Sequence, residues 1–142
     1  MFLFEKLEAW QLAIELAQRV YSATRHFPDT ERFGLTSRMR RAAVSISSNI
    51  AEGSGRGTDT DFARFLEIGY GSLMEVVSQL RIAELQGFLS PEDFKALYAE
   101  CERLARVLSG LRCSLSGLNT KRITSSDRSK SGTRPSTLDR RR

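Results

Sequence analysis

The chain has 142 residues, of which 40% are hydrophobic and 27% are charged, with three prolines and ten glycines. These values predict one soluble globular domain and exclude fibrous and low-complexity chains. No apolar run approaches the roughly 20 residues of a membrane-spanning helix, and the first residues lack the pattern of a signal peptide. We therefore expect a cytoplasmic protein with no membrane partner.

The net charge of +5 is unevenly distributed along the chain. Residues 1–116 carry 14 Lys/Arg and 15 Asp/Glu, whereas residues 117–142 carry eight Lys/Arg and two Asp. The first part thus has a net charge of −1 and the second part a net charge of +6. The basic character of the chain belongs to its C-terminal part, so the pI says little about the folded body.

The first predicted helix covers about residues 5–25 and carries two apolar rows at helical spacing. One row consists of Leu7, Trp10, Ile14, Ala17 and Tyr21. The second row consists of Leu12, Leu16, Val20 and Ala23. Pro28 follows, and because the residue before a proline avoids the helical region, residues 27–29 are predicted to form a turn.

The second predicted helix begins near Asp29 or Glu31 and extends to residues 50–52. Its expected apolar face consists of Phe33, Leu35, Met39, Ala42, Ala43, Ile46 and Ile50. Gly53 is predicted to be its C-cap, since glycine enters the left-handed conformation at little steric cost.

The last two predicted helices have clear N-terminal signals. Thr58 with Asp61 is typical of an N-cap with a capping box, and the helix that follows should end near residues 86–87. Gly69 and Gly71 inside it suggest the close approach of another backbone. Ser90 followed by Pro91 predicts the start of a fourth helix, whose apolar pattern continues to about residue 115.

Four helices with short connections predict an all-α fold, an antiparallel up-down-up-down four-helix bundle over residues 1–116. From residue 117 onward the apolar pattern stops. Nine Ser/Thr and eight basic residues predict a disordered basic tail over residues 117–142.

The sequence offers no support for catalysis or for a metal, cofactor or small-molecule substrate. His26 is the only histidine; it lies at the polar, charged end of the first predicted helix, where we expect a surface residue and not the base of a Ser–His–acid triad. A Cys/His zinc site would lack ligands. Cys101 and Cys113 are expected to lie roughly 120° apart around one helix, which prevents a disulfide within it. The glycine-rich run at residues 53–57 lacks the Lys-Ser/Thr of a Walker A loop. We therefore predict a protein that is not an enzyme.

One basic cluster lies in the body, at Arg38, Arg40 and Arg41. Arg38 and Arg41 share a helix face and could bind phosphates, whereas Arg40 should point elsewhere. The alternative is that one or more of these arginines, Arg41 above all, form an ion pair with Glu52, Glu67 or Glu75 inside the bundle or across an interface between subunits.

A polar stripe follows the basic cluster on the same helix. Ser45, Asn49 and Glu52 recur at steps of four and three, and buried polar groups need partners. We expect Arg64 and Ser72, or the same residues of a neighbouring copy, to supply these partners. One interpretation is that this stripe binds a ligand or takes part in catalysis. The structural reading, which we prefer, is a polar network that fixes helix register or subunit contacts.

Four segments of this region resemble a known family. They are LTSRMRRA at residues 35–42, SISSNIAEG at residues 45–53, RFL at residues 64–66 and GSLME at residues 71–75. Together they resemble the four-helix-bundle proteins of 23S rRNA intervening sequences, over about residues 3–115. Ser47 and Arg38 depart from the family pattern, which usually has proline and often glutamine there.

The resemblance implies a bacterial four-helix bundle that assembles into a ring-like homo-pentamer. It also implies kinship with the accessory protein of diversity-generating retroelements, which binds RNA and a reverse transcriptase. The candidate nucleic-acid-binding residues are Arg38, Arg40, Arg41, Lys121, Arg122, Arg128 and Lys130. The candidate interface residues are Arg41, Ser45, Asn49, Glu52, Arg64, Ser72 and Glu75.

Two functions compete at this point. The first is an oligomeric RNA-binding accessory factor, favoured by the resemblance, the arginine cluster and the basic tail. The second is a protein–protein interaction scaffold with no nucleic-acid role, favoured by the net charge of −1 over residues 1–116.

Overall fold

The four helices expected from hydrophobic periodicity are all present in the computed structural model, which describes the backbone of residues 1–127 and the side chains of residues 1–116. Helix α1 spans Glu8–Thr24, α2 spans Leu35–Ser54, α3 spans Asp59–Leu85 and α4 spans Pro91–Asp127. Short 3-10 turns at Leu3–Lys6 and Asp29–Glu31 precede α1 and α2. No residue between 1 and 127 lies in a β-strand.

The helix starts follow the predicted caps. The Asp61 amide donates to the Thr58 hydroxyl at 3.1 Å, and the Asp93 amide donates to the Ser90 hydroxyl at 3.1 Å. Each side chain satisfies one of the amides that the first turn leaves without an intrahelical acceptor. After α3, Gly87 adopts a φ of +76°, the left-handed conformation that glycine adopts without a steric penalty.

Specific contacts show that consecutive helices run antiparallel. Ser45–Ser72 and Gly53–Phe65 join α2 to α3, and Glu67–Arg112 and Arg81–Phe94 join α3 to α4. Glu8–Arg103 and Arg19–Glu100 join α1 to α4. In each set the residue numbers rise on one helix and fall on the other. Each helix packs against two others: α1 and α3 each pack against both α2 and α4. The fold is therefore the predicted antiparallel four-helix bundle.

The core face of α1 lies between the two apolar rows expected from the sequence. Ala9, Ala13, Leu16 and Val20 are buried, whereas Ile14 and Tyr21 are about 40% exposed. Both of the latter belong to the first predicted row, so that row was wrong in part. Small alanines occupy the contact stripe because they allow close helix packing, and the larger side chains flank it.

Helix α2 begins later and ends later than expected. It starts at Leu35, because the chain first forms the 3-10 turn at Asp29–Glu31, and Glu31 then accepts a hydrogen bond from the Leu35 amide at 3.0 Å. Phe33 consequently lies before the helix and is 89% exposed, so its assignment to the apolar face was wrong.

Gly53 is not the C-cap of α2, which is Gly55. Gly53 is buried inside the helix, and a Cβ atom built on it would lie 2.6 Å from Cβ of Phe65. Glycine is required here by the close approach of α3. Gly69 also lies against α2, since a Cβ there would be 3.6 Å from the Ile46 carbonyl oxygen, whereas Gly71 has no such neighbour.

Helix α4 continues to Asp127, about twelve residues beyond the end of its apolar pattern. An existing helix gains one hydrogen bond for each residue added, so it can extend without an apolar face. The first proline after Pro91, which would break the helix, is Pro135. Lys121 and Arg122 therefore lie on the α4 backbone. Residues 128–142, with Arg128, Lys130 and most of the predicted tail, lie outside the described residues.

None of the helices formed by residues 1–127 is long and apolar enough to cross a membrane.

Candidate functional site

The first basic residues of α2 and the middle of α3 form an open surface cleft of about 390 Å³, which we call the α2–α3 cleft. It is lined by Arg38, Arg41, Ala42, Ser45, Ser72 and Glu75. The cleft thus combines two guanidinium groups, two hydroxyls and one carboxylate, and five of these six residues belong to the sets predicted from the sequence.

Hydroxyl groups form the polar contact between α2 and α3. The Ser45 and Ser72 hydroxyl oxygens lie 2.9 Å apart. The Asn49 side-chain amide donates to the Ser45 carbonyl at 2.8 Å and to its hydroxyl at 3.1 Å. Because the Ser45 hydroxyl accepts from Asn49, its own proton is available for Ser72.

Two expected members of this network lie elsewhere. Glu52 is exposed and pairs with Arg56 one turn later at 3.3 Å. Arg64 is exposed and pairs with Asp61 at 3.8 Å within α3. The polar network inside one chain is therefore smaller than the sequence predicts, and consists of Ser45, Asn49 and Ser72.

The side chains of Arg38 and Arg41 are exposed, and neither guanidinium forms an ion pair or a hydrogen bond within the part of the chain that the structure describes. The acids proposed as partners of Arg41 have other contacts. Glu67 pairs with Arg112 at 3.8 Å, and Glu75 accepts a hydrogen bond from the Gln79 amide at 3.1 Å. The alternative that an intrachain ion pair holds Arg41 is therefore not realised.

Arg40 lies apart from the α2–α3 cleft, between α2 and the end of α1. Its Nε donates to the Thr24 hydroxyl at 2.9 Å, and its guanidinium carbon lies 4.6 Å from the centre of the Tyr21 ring. These contacts fix the Arg40 guanidinium in one position beside the α1–α2 connection.

A second basic cleft lies at this connection and was missed in the sequence. This α1–α2 cleft has a volume of about 320 Å³ and is lined by Thr24, Arg25, Phe27, Pro28, Asp29, Arg32, Thr36 and Arg40. Its three arginines are spread over 16 residues of sequence: Arg25 directly follows α1, Arg32 lies in the connection and Arg40 lies on α2. No local cluster signals them, and only the tertiary fold brings them together.

A carboxyl group with a raised pKa, that of Glu100, lies outside both clefts, where α1 packs against α4. Burial raises the pKa of the Glu100 carboxyl, which the nearby Glu15 also raises and Arg19 and Arg103 lower. Its Oε1 lies 3.0 Å from Nε of Arg19, while its buried Oε2 has no hydrogen-bond partner among the described residues. The position of this group on the α1–α4 contact marks it as part of helix packing.

The two cysteines have different surroundings. Cys101 is buried, and burial raises the pKa of its thiol to about 12, with a smaller contribution from the charge of Glu100. Cys113 is exposed. Both are free thiols, and within the described residues no three His, Cys, Asp or Glu side chains are close enough to hold a metal ion.

The four antiparallel helices place this chain in the class of small four-helix-bundle proteins. The family model that matches the sequence is the 23S rRNA-intervening sequence protein, over residues 5–110. Because the match covers most of the chain, this protein belongs to that family, as the sequence motifs indicated.

The fold is also that of a solved structure. The chain superimposes with a TM-score of 0.66 on a protein with unknown function from the S23 ribosomal protein family of Bacteroides thetaiotaomicron. The two sequences are 18% identical, and the alignment covers 73% of this chain and 97% of the other. At this identity the likeness shows the fold alone. No curated protein matches the sequence significantly.

Proposed function

We propose that this protein is a non-enzymatic, pentameric RNA-binding accessory factor in the cytoplasm, and that RNA phosphates bind Arg38 and Arg41 in the α2–α3 cleft. The observation that carries the proposal is that these two arginines share a cleft and have no partner within the described residues. The RNA would be a transcript of a ribosomal RNA intervening sequence, or a retroelement RNA bound together with its reverse transcriptase.

The chemistry of the cleft favours a phosphate group as the ligand. Guanidinium groups bind phosphate oxygens through paired, charge-assisted hydrogen bonds. The Ser45 and Ser72 hydroxyls line the same cleft and can add neutral hydrogen bonds. Glu75 opposes this attraction, so the affinity of one cleft is expected to be modest. In a ring of five subunits, repeated clefts and basic C-terminal segments would raise the overall affinity.

The outer face of α3 supports self-association. Ile68, Ile82 and Leu85 are 50%, 47% and 74% exposed. Together with Gly71, they lie along one side of α3: residues 68 and 71, and residues 82 and 85, are three apart, and residues 71 and 82 are eleven apart, which is close to three helical turns. A partner helix on this side would remove their apolar surface from water.

RNA binding is tested with the full chain by titrating a fluorescent RNA at several salt concentrations. The double variant Arg38→Ala/Arg41→Ala should weaken binding and lower the slope of log affinity against log salt by about one for each arginine. Arg106→Ala, which removes an exposed arginine of α4, is the matched control and should leave the affinity unchanged. Equal affinity of the double variant and the wild type would contradict the proposal.

Assembly is tested by light scattering of the nuclease-treated protein, which should give the mass of a pentamer. Ile82→Lys should reduce this mass, whereas Ile14→Lys, which places the same charge on an exposed position of α1, should not. A monomeric wild type would contradict the oligomeric part of the proposal.

A protein–protein scaffold is the second candidate, because the same exposed α3 side chains fit a protein partner and residues 1–116 carry a net charge of −1. It predicts a protein that co-purifies after nuclease treatment and is lost with Ile82→Lys. It also predicts no loss of partner with Arg38→Ala/Arg41→Ala.

A further inference from the structure

We propose that the α1–α2 cleft is a second, separate binding site for a phosphate group, formed by Arg25, Arg32, Arg40 and the hydroxyl of Thr36. The ligand is a phosphate oxyanion, either in the backbone of a nucleic acid strand or on a small phosphorylated molecule. The inference rests on this cleft itself and not on RNA binding at the α2–α3 cleft.

The charge of the cleft favours an anion. Three arginines and one aspartate line it, which gives a net charge of +2, against +1 for the α2–α3 cleft with two arginines and one glutamate. Asp29 forms no ion pair with any of the three arginines, and no described residue forms a hydrogen bond or ion pair with the guanidinium of Arg25 or Arg32. The Arg32 guanidinium carbon lies 5.5 Å from the centre of the Phe33 ring. Their donors are therefore available to a ligand.

Arg40 gives the cleft a fixed donor group. One of its five N–H groups donates to Thr24 at 2.9 Å, and a second reaches the Tyr21 carbonyl oxygen at 3.5 Å. The remaining N–H groups stay free while the ring of Tyr21 holds the guanidinium plane in place. A donor that is already fixed loses less side-chain entropy when it binds a ligand.

Thr36 adds a hydroxyl group to the cleft. The residue is only 8% exposed, lines the cleft, and its hydroxyl has no hydrogen-bond partner among the described residues. The other hydroxyl of the cleft, that of Thr24, donates to the Val20 carbonyl at 2.7 Å and accepts from Arg40. Among the described residues, the buried side-chain polar atoms without a partner are Gln79 Oε1 and Glu100 Oε2, so the Thr36 hydroxyl is open to the cleft and can donate to a ligand oxygen.

The position of Thr36 on α2 adds to this preference. Thr36 is the second residue of α2 and lies at the positive end of the helix dipole. Gly34, the N-cap residue, has no side-chain oxygen to accept hydrogen bonds from the first amides of α2. The Glu31 carboxylate accepts a hydrogen bond from the Leu35 amide only. An anion beside Thr36 therefore gains from the helix end as well as from the arginines.

The two clefts lie on opposite sides of α2, because Arg40 and Arg38 point to different sides of the same helix. A helix with its side chains is about 10 Å across, so a single nucleic acid strand that crosses the start of α2 could place phosphates in both clefts. A small phosphorylated molecule would occupy the α1–α2 cleft alone.

The test is a titration of the full-length protein with inorganic phosphate at constant ionic strength, followed by the amide NMR signals of Thr36 and Arg32. We expect these signals to shift in a saturable manner. Arg32→Ala and Thr36→Val should each weaken phosphate binding, by about tenfold for the charged contact, whereas Asp29→Asn should strengthen it. Arg106→Ala is the control and should change nothing. Arg40 is left intact because it also joins α1 to α2.

A second arm distinguishes the source of the phosphate. An RNA oligonucleotide without terminal phosphates is added to the phosphate-saturated Arg38→Ala/Arg41→Ala variant. If RNA displaces phosphate from the Thr36 signal, the ligand is a nucleic acid strand. If phosphate stays bound while RNA binds nowhere, the cleft takes a small phosphorylated molecule, and the inference stands although RNA binding fails. Equal shifts with chloride, or an unchanged Kd in both Arg32→Ala and Thr36→Val, would overturn it.

Discussion

The hydroxyl of Ser45 on α2 lies 2.9 Å from the hydroxyl of Ser72 on α3. Both serines are partly buried, and Asn49 holds the Ser45 hydroxyl from the next turn of α2. Apolar side chains allow helices to slide along one another, whereas a hydrogen bond is made at one position only. The pair therefore sets the register of the two helices that bring Arg41 beside Glu75 in the α2–α3 cleft.

Replacing either serine by alanine is expected to lower the free energy of unfolding by about 1 kcal/mol, because the other hydroxyl loses its partner in a half-buried place. The double variant Ser45→Ala/Ser72→Ala should be less destabilised than the sum of the two single variants. Urea unfolding of the four proteins measures this coupling. Strictly additive effects would show that the two hydroxyls do not interact in solution.

Gly53→Ala is expected to destabilise the fold by about 1–3 kcal/mol, because the added methyl group would overlap Phe65 on α3 and force the helices apart. Gly110→Ala is the matched control. Gly110 is exposed on α4 and has no neighbour within 4 Å of the new atom, so alanine should stabilise the protein by about 1 kcal/mol through its helix propensity. Thermal unfolding compares the two. A stabilised Gly53→Ala variant would contradict the packing seen at this position.

The existence of each helix could be predicted from the sequence, because periodicity and caps act locally. Thr58 and Ser90 cap their helices as predicted, since each contact spans three residues. The role of Gly53 could not be predicted in this way. A glycine near a helix end is read as a cap, and only the packing of Phe65 from another helix shows that the requirement is for space.

The sequence predicted only those parts of the candidate site whose residues lie on a single helix. Arg38, Arg41 and Ser45 share a side of α2, so helical spacing places them together. The pairing of Glu52 with Arg56 was missed because several acids compete for each arginine, and the nearest along the helix is favoured. The α1–α2 cleft could not be found, since its arginines meet only through the turn between two helices.

Cys113 is expected to react quickly with a thiol reagent, whereas Cys101 should react only when the protein unfolds. Burial raises the pKa of the Cys101 thiol to about 12 and shields it from the reagent, while Cys113 is exposed. The measurement is the rate of labelling under native conditions and in urea. Cys113→Ser should abolish the fast phase and Cys101→Ser should leave it intact. Fast labelling of the Cys113→Ser variant would show that α4 opens readily.

Glu100 is expected to make the stability of the protein depend on pH, with a sign opposite to that of most carboxylates. Burial raises the pKa of Glu100 above 4.5. Between pH 4.5 and the raised pKa, the folded state therefore retains a proton that the unfolded chain has lost. Stability therefore falls as the pH rises through the interval between 4.5 and the raised pKa, and stays lower at neutral pH.

Glu100→Gln carries no charge at any pH, and it should gain stability relative to the wild type on going from pH 4 to pH 7. The loss of the contact with Arg19 opposes this gain, but desolvation is the larger of the two effects. Urea unfolding of each protein at the two pH values gives the change in its free energy of unfolding with pH. All other groups titrate alike in the two proteins, so their contributions cancel when the two changes are compared. Glu102→Gln removes one negative charge from an exposed position of the same helix and serves as control. If Glu100→Gln instead lost stability relative to the wild type as the pH rose, the ion pair with Arg19 would outweigh the burial of the carboxylate, and the α1–α4 contact would be held by charge attraction.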